Sequence, residues 1–364
     1  MKKILLILVG GTICTSLNED GNLAVSESAG ILLKEKYMNS DSPYANMVEI
    51  ESTENLYILS ENMTINKWNA IIDTYRKYVA GNKYDGIIMA HGTDTLAYSA
   101  ALFSMVFSDT DIPIFLVSAN ENLMSERTNG NANFRCAVEC ICQGITPNVY
   151  VSYKNISNGE LYIHLASRLK QCENYSEDFH SVGEFNITHM TEDNYRDYFE
   201  EMDSRFPHKG SQKVVDIFGN WKLKNCVLYL TPYVGINYSA YDYSRFAAVL
   251  HGAYHSGTAC AEKNECCTHY SENSILCMLD KCFNRDKPVE VYFSPSVLKR
   301  GTYETVSIIG NHAVNGKKIN FMYGYTYEMA YAKLIIAYSV FEREEDRNKF
   351  LYGEYNYELI TVSE

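Results

Sequence analysis

Within the first 145 residues, four apolar runs alternate with longer amphipathic stretches, and that order leaves the chain few folds to choose from. The runs are Ile4–Val9, Val48–Ile58 (broken), Asp85–Ala90 and Ile112–Ser118. Between the second and third, Thr64–Val79 repeats Ile65, Trp68, Ile71, Ile72, Tyr75 and Val79 at the spacing of one buried helical stripe. Thr95–Phe107 is apolar nearly all round, and Asn129–Cys142 follows the fourth run. Strand, helix, strand, helix in that order means βαβ units, a parallel sheet and right-handed crossovers.

The first run has a second reading, because Lys2-Lys3 followed by six apolar residues imitates an export signal. It stops at Gly10-Gly11, short of the usual apolar stretch of about 7–15 residues, and no small-x-small cleavage site follows. A buried parallel strand, continuously apolar and ended by glycine, fits better. No run approaches the roughly 18 apolar residues of a membrane span, so no membrane partner is expected. The 11 cysteines are an odd number without an export signal, which reads as a reduced, cytoplasmic protein. With 45 acidic against 32 basic side chains, the net charge of −13 repels phosphate backbones, and nucleic acid is not an expected partner.

After about Gly183 the pattern loosens: Thr191–Phe206 is polar and acidic, and Pro207-His208-Lys209-Gly210-Ser211 is a break. Alternation resumes at Cys226–Thr231, Ala247–Leu250, Val289–Phe293 and a terminal helix, Tyr327–Phe341. The expected fold is α/β: a larger N-terminal open parallel-sheet domain (1–185) with a strand-end active site, a linker or insertion (186–222), and a smaller C-terminal α/β domain (223–364).

Open parallel sheets bind ligands beyond the carboxyl ends of their strands. The residues there are Gly10-Gly11-Thr12-Ile13, Ser60-Glu61-Asn62, His91-Gly92-Thr93-Asp94-Thr95 and Ala119-Asn120-Glu121-Asn122. Two threonines beside glycines, a serine and an acid therefore converge on one edge. A threonine hydroxyl is a covalent nucleophile once a base takes its proton, whereas a single threonine at a strand end is more often a turn or cap residue. The first turn lacks the third glycine of a dinucleotide fingerprint, and no phosphate-binding loop occurs, so no cofactor is expected.

These segments resemble the two signatures of the L-asparaginase family with threonine nucleophiles: Gly10-Gly11-Thr12-Ile13, and Asp85 to Thr95 with its His91-Gly92-Thr93-Asp94-Thr95 core. Ser60-Glu61-Asn62-Met63-Thr64 with Trp68, Ile112-Pro113-Ile114 before Ser118, and Thr326–Leu334 extend the similarity over nearly the whole chain. The resemblance implies an amidohydrolase converting L-asparagine to L-aspartate and ammonia, without metal or cofactor, assembled as a homodimer or dimer of dimers. It implies that Thr12 attacks the side-chain amide, that Thr93 is the second catalytic hydroxyl, and that Asp94 holds the substrate ammonium. Ser60, with backbone from Glu61, would bind the carboxylate. The family lysine that polarises the second threonine falls on Lys170, nine positions before Phe179, although counting from Arg168 the register slips by one residue. A solvated surface lysine is the other reading of Lys170. Two departures stand out: Asn22 where the family has a loop tyrosine, for which Tyr37 is a candidate substitute, and Leu59 where it often has an acid.

A related reading is a glutaminase-type enzyme or a tRNA-linked amidotransferase subunit. A third is an amino-acid-binding homologue with weakened catalysis. The cysteines, among them Cys136, Cys140 and Cys142 on one helix, lack paired metal-ligand spacing, so no metal is expected. His251 and His255 are spaced i, i+4 but flank a glycine after an apolar strand, which reads as a loop, placed by the resemblance near a subunit interface with Ser256-Gly257-Thr258. Glu342–Arg347 reads as a solvated helix end.

Overall fold

The computed structural model describes residues 1–17, 23–25, 28–182, 186–188, 213–262, 270–294 and 303–360. The chain divides into two compact units, Met1–Asn220 with Tyr355–Glu358, and Trp221–Glu354 with the chain end from Leu359.

In the first unit the elements are β1 (Lys2–Leu8), β2 (Thr15–Leu17), β3 (Leu23–Val25), α1 (Ser28–Met38), β4 (Val48–Ser52), α2 (Ile65–Val79), β5 (Gly86–Ala90), α3 (Leu96–Val106), β6 (Ile114–Val117), α4 (Gly130–Gln143), β7 (Val149–Lys154), β8 (Leu161–Leu165), β9 (Leu169–Lys170), β10 (His180–Ser181) and β11 (Asn186–Thr188). Seven strands form the main sheet in the order β11-β8-β7-β6-β5-β1-β4. From β4 to β7 the neighbours are parallel. Beyond β7 the sheet turns antiparallel, a mixed edge that the apolar runs did not announce. The lysine-led first run is the interior strand β1, flanked by β5 and β4, whose Ile4 to Leu8 are all buried, each stabilising the fold by roughly 1.5–3 kcal/mol.

Both faces of the sheet are covered. Ile4, Leu6, Leu8, Ile88, Ala90, Phe115 and Val117 pack against Leu33 and Tyr37 of α1 and Phe134, Ala137 and Ile141 of α4. The alternate residues Leu5, Ile7, Ile87, Met89 and Leu116 are equally buried. Helix α2 shows the expected stripe and starts at Thr64, whose hydroxyl accepts from the N–H of Lys67. Its Trp68 indole donates to Ser99 Oγ at 2.9 Å on α3, which is buried on every side. The broken second run is β4 followed by an irregular return in which Ile58 N–H donates to the Val9 carbonyl at 3.0 Å.

Thr191–Phe206 and Pro207–Ser211 lie outside the described residues. Lys213–Asn220 belong with the first unit, where Arg76 donates to the carbonyls of Ile217 and Gly219. A tail segment returns there too: the Asn356 and Asn148 side chains exchange hydrogen bonds at 2.9 Å, and Arg168 donates to the Tyr357 carbonyl.

In the second unit β12 (Val227–Leu230), β13 (Ala248–Gly252), α5 (Ile275–Phe283), β14 (Glu290–Ser294), α6 (Glu304–Asn311), β15 (Ala313–Val314), β16 (Lys317–Lys318), β17 (Asn320–Phe321), α7 (Tyr327–Val340) and α8 (Glu344–Tyr352) follow in order. The sheet β12-β13-β14-β17 is wholly parallel. His251 is the penultimate residue of β13 and His255 is in the exposed turn beyond, so the pair is not on a helix. The charge run at Glu342–Arg347 is a largely solvated helix end, the start of α8, whose first turn, Glu344-Glu345-Asp346, places acids at the positive end of the dipole. The nine cysteines among the described residues are free thiols, and Cys136 and Cys140 lie 3.9 Å apart on α4. No helix among the described residues is long and apolar enough to cross a membrane.

Candidate active site

Three strand ends meet at glycine. Gly10 and Gly11, after β1, have φ of +136° and +75°, conformations that side chains rarely adopt. A Cβ on Gly11 would lie 2.2 Å from Gly92 Cα, and one on Gly10 would lie 2.2 Å from the Ile58 carbonyl oxygen. A Cβ on Gly92 would lie 2.5 Å from both Cβ and Oγ of Ser60. The three loops are therefore in backbone contact. The Gly11 N–H donates to the Ile58 carbonyl at 2.9 Å, and the Val9 N–H to that of Ala90 at 3.0 Å.

This contact brings together most of the expected residues. Thr12 opens a single 3-10 turn (Thr12–Cys14) with Ile13 and Cys14 buried beneath it, and its carbonyl accepts from the Thr15 hydroxyl at 2.8 Å. Ser60 is buried at the start of the Ser60–Asn62 turn, and its Oγ donates to Asp94 Oδ2 at 2.9 Å. Thr93, Asp94 and Thr95 form a 3-10 turn leading directly into α3. Asp94 is exposed, and Glu61 is exposed beside Ser60. Behind the turn, His91 is fully buried with Nδ1 2.8 Å from the Gly92 carbonyl oxygen, and burial drives its pKa down to about 4. It is neutral at physiological pH.

Lys170 is not among them. Along β9 the side chains alternate, so buried Leu169 leaves Lys170 facing solvent, where its Nζ is 3.9 Å from Glu173 Oε1. The next residue turns back inward. Gln171 Nε2 donates to the Thr93 carbonyl at 2.9 Å, and its Oε1 accepts from the Ala97 N–H at 3.2 Å. Gln171 Nε2 also lies 3.3 Å from Cys172 Sγ, a half-buried thiol whose pKa burial pushes up. Neither residue is foreseen from the sequence. The one-residue slip counted from Arg168 was the available signal, since one position on from Lys170 is Gln171. Tyr37 is no substitute for the loop tyrosine: it is buried in the core, edge-on to Phe134 at 6.0 Å, with its hydroxyl 3.1 Å from Ser42 Oγ. Asn22 lies outside the described residues. Among the described residues no group of three or more His, Cys, Asp or Glu is arranged to hold a metal ion.

The family model "Asparaginase, N-terminal" matches residues 3–201, more than half of the chain and all of the strand-end site. The chain belongs to the asparaginase family. Among relatives of this asparaginase-family chain, an L-asparaginase of Thermococcus kodakarensis is 27% identical over 152 residues, 42% of this chain and 44% of that protein. A glutamyl-tRNA(Gln) amidotransferase subunit of Methanococcus maripaludis is 23% identical over 240 residues, 65% of this chain and 55% of the relative. These matches thus span about half the length of each relative. The fold match runs further. The thermostable L-asparaginase from Thermococcus kodakarensis aligns over 99% of this chain and 100% of that one with a TM-score of 0.68 at 20% identity. L-asparaginase I from Vibrio cholerae aligns over 99% of both with a TM-score of 0.68 at 19% identity. The two-unit α/β architecture is that of these enzymes.

Proposed function

We propose that this chain is an amidohydrolase that converts L-asparagine to L-aspartate and ammonia through a threonine acyl-enzyme. The observation that carries the reading is the Gly11–Gly92 backbone contact, which sets Thr12 and Thr93 on adjoining turns with the Ser60–Asp94 pair beside them. Thr12 Oγ adds to the side-chain amide carbon and the C–N bond breaks. The hydroxyl proton leaves with the amide nitrogen as ammonia, by way of Thr93. Water then adds to the ester, releasing the carboxylic acid and restoring the threonine. Asp94 recognises the substrate ammonium. The Ser60 hydroxyl, turning its single proton from Asp94 to the substrate, and the Glu61 backbone meet its carboxylate. As in the family resemblance, the assembly is a homodimer or a dimer of dimers.

Ammonia release from asparagine, glutamine and D-asparagine at micromolar and millimolar concentrations tests this. The expected result is preferential turnover of L-asparagine, with Thr12→Ala slower by several powers of ten. Undiminished turnover in Thr12→Ala removes that residue as nucleophile. The amidotransferase relatives support a second reading, deamidation of glutamine as an ammonia donor, which the glutamine arm of the same assay separates.

A further inference from the structure

We propose that Gln171 is the positioning residue of the site, a clamp that locks the Thr93–Asp94 turn to the start of α3. The inference rests on the hydrolytic reading above for its catalytic consequence, and on hydrogen bonding for its structural one.

The first four N–H groups of any α-helix lack partners within the helix, and the residue at the N-cap normally supplies an oxygen to one of them. Helix α3 begins at Leu96, so Thr95 is that residue, and its hydroxyl is of the right type. Yet it makes no capping bond, because Thr95 Oγ1 donates instead to the Ser60 carbonyl at 3.0 Å. The cap has been diverted to hold the Ser60 turn against the Thr93 turn. The acceptor that α3 is missing comes from 74 positions along the chain: Gln171 Oε1 takes the Ala97 N–H at 3.2 Å. The same side chain donates from Nε2 to the Thr93 carbonyl at 2.9 Å. Ser60 is thereby bonded to Asp94, at 2.9 Å, and to Thr95, and Gln171 to Thr93 and Ala97, two sets of hydrogen bonds joined through the backbone of the Thr93–Thr95 turn.

The chemistry at position 171 follows from those two bonds. One neighbour is the Thr93 carbonyl, which accepts from the Leu96 N–H and takes a second donor; the other is an N–H and needs an acceptor. A carboxamide offers both from one planar group. A carboxylate has no donor for Thr93, an ammonium has no acceptor for Ala97, and a thioether of similar length serves neither well. Asparagine carries the right group on a side chain one methylene shorter.

Gln171→Met, Gln171→Glu and Gln171→Lys are the test, with steady-state kinetics on L-asparagine, thermal melting, and hydrogen exchange at the Ala97 amide. Releasing a turn that carries reacting groups by a fraction of an ångström lowers rate more than it lowers affinity. The expected result is a tenfold or greater fall in kcat in Gln171→Met and Gln171→Glu with KM moved less than kcat, Gln171→Lys being read by exchange alone. Ala97 exchange should quicken in Gln171→Met and Gln171→Lys but less in Gln171→Glu, which keeps the acceptor. A melting temperature within a few degrees of the parent separates this from general unfolding. Kinetics within twofold of the parent in Gln171→Met, or unchanged Ala97 exchange there, overturns the proposal. Parent protein that hydrolyses no amide overturns the functional reading instead, and the order of Ala97 exchange rates then decides the clamp by itself.

Discussion

Ser60 shows how one buried residue ties two strand-end turns together. It is buried, donates to Asp94 Oδ2 at 2.9 Å and accepts from the Asp94 N–H at 3.3 Å. Replacing it with alanine leaves the carboxylate without its oriented partner. Ser60→Ala is expected to raise KM for asparagine about tenfold, the scale of one hydrogen bond to a charged group, with a smaller change in kcat. A KM equal to the parent's, measured by initial rates, counts against Ser60 as a substrate contact. The residue scale is also where sequence reading was most uneven. Thr12, Ser60, Thr93 and Asp94 stood at strand ends and were legible from position alone. Gln171 was not, because nothing in a lone glutamine announces that it will face a carbonyl and an N–H at once. Lys170 ends the two-residue strand β9 and Gln171 follows it, and which of the two turns inward follows from tertiary packing of Leu169.

At the scale of elements, the strand-end turns were readable because glycines mark them, but the reason for the glycines was not. Gly11 is required twice, by its φ of +75° and by the 2.2 Å approach a Cβ would make to Gly92 Cα. Gly11→Ala is expected to cost roughly 1–3 kcal/mol of stability as the backbone shifts, and to abolish turnover, because the β1 and β5 turns can no longer touch. Denaturant midpoints together with activity check this; a fully active, equally stable variant contradicts it. The helices were the easiest elements to foresee. The α2 stripe of Ile65, Trp68, Ile71, Ile72 and Tyr75 is buried as its spacing demands. Strands β7 and β8 were not among the expected runs, and the antiparallel direction of β8 leaves no periodic trace, because a parallel and an antiparallel strand alternate alike. The acids of Glu342–Arg347 were legible as a solvated helix end, but a charge run does not say how far the helix it opens will extend.

Across the whole molecule, two histidines occupy matching places, His91 after β5 and His251 at the penultimate position of β13, each before a glycine. Both are fully buried, and burial lowers the pKa of each to about 4 from the ordinary 6.5. Nδ1 of each points to the carbonyl oxygen of the following glycine, and Nε2 of His251 lies 2.7 Å from the Tyr238 hydroxyl. These depressed values set the sign of the pH effect. Above pH 6.5 both are neutral, folded or unfolded, and the stability is complete. Below it the unfolded chain takes up protons that the native state refuses, so stability falls until about pH 4. Each histidine contributes up to roughly 3 kcal/mol to that fall. Urea unfolding at pH 7, 5.5 and 4.5 should show the decline, and His91→Gln and His251→Gln should each flatten it. Identical slopes in parent and variants contradict burial as the cause.

The central claim is that Thr12 is the nucleophile of this strand-end site. Acid quench during turnover of a slow amide or ester substrate, followed by proteolysis and mass spectrometry, tests it most directly. The account predicts an aspartyl adduct on Thr12 itself, absent in Thr12→Ala. An adduct on Thr93 or Cys172, or turnover undiminished in Thr12→Ala, contradicts it.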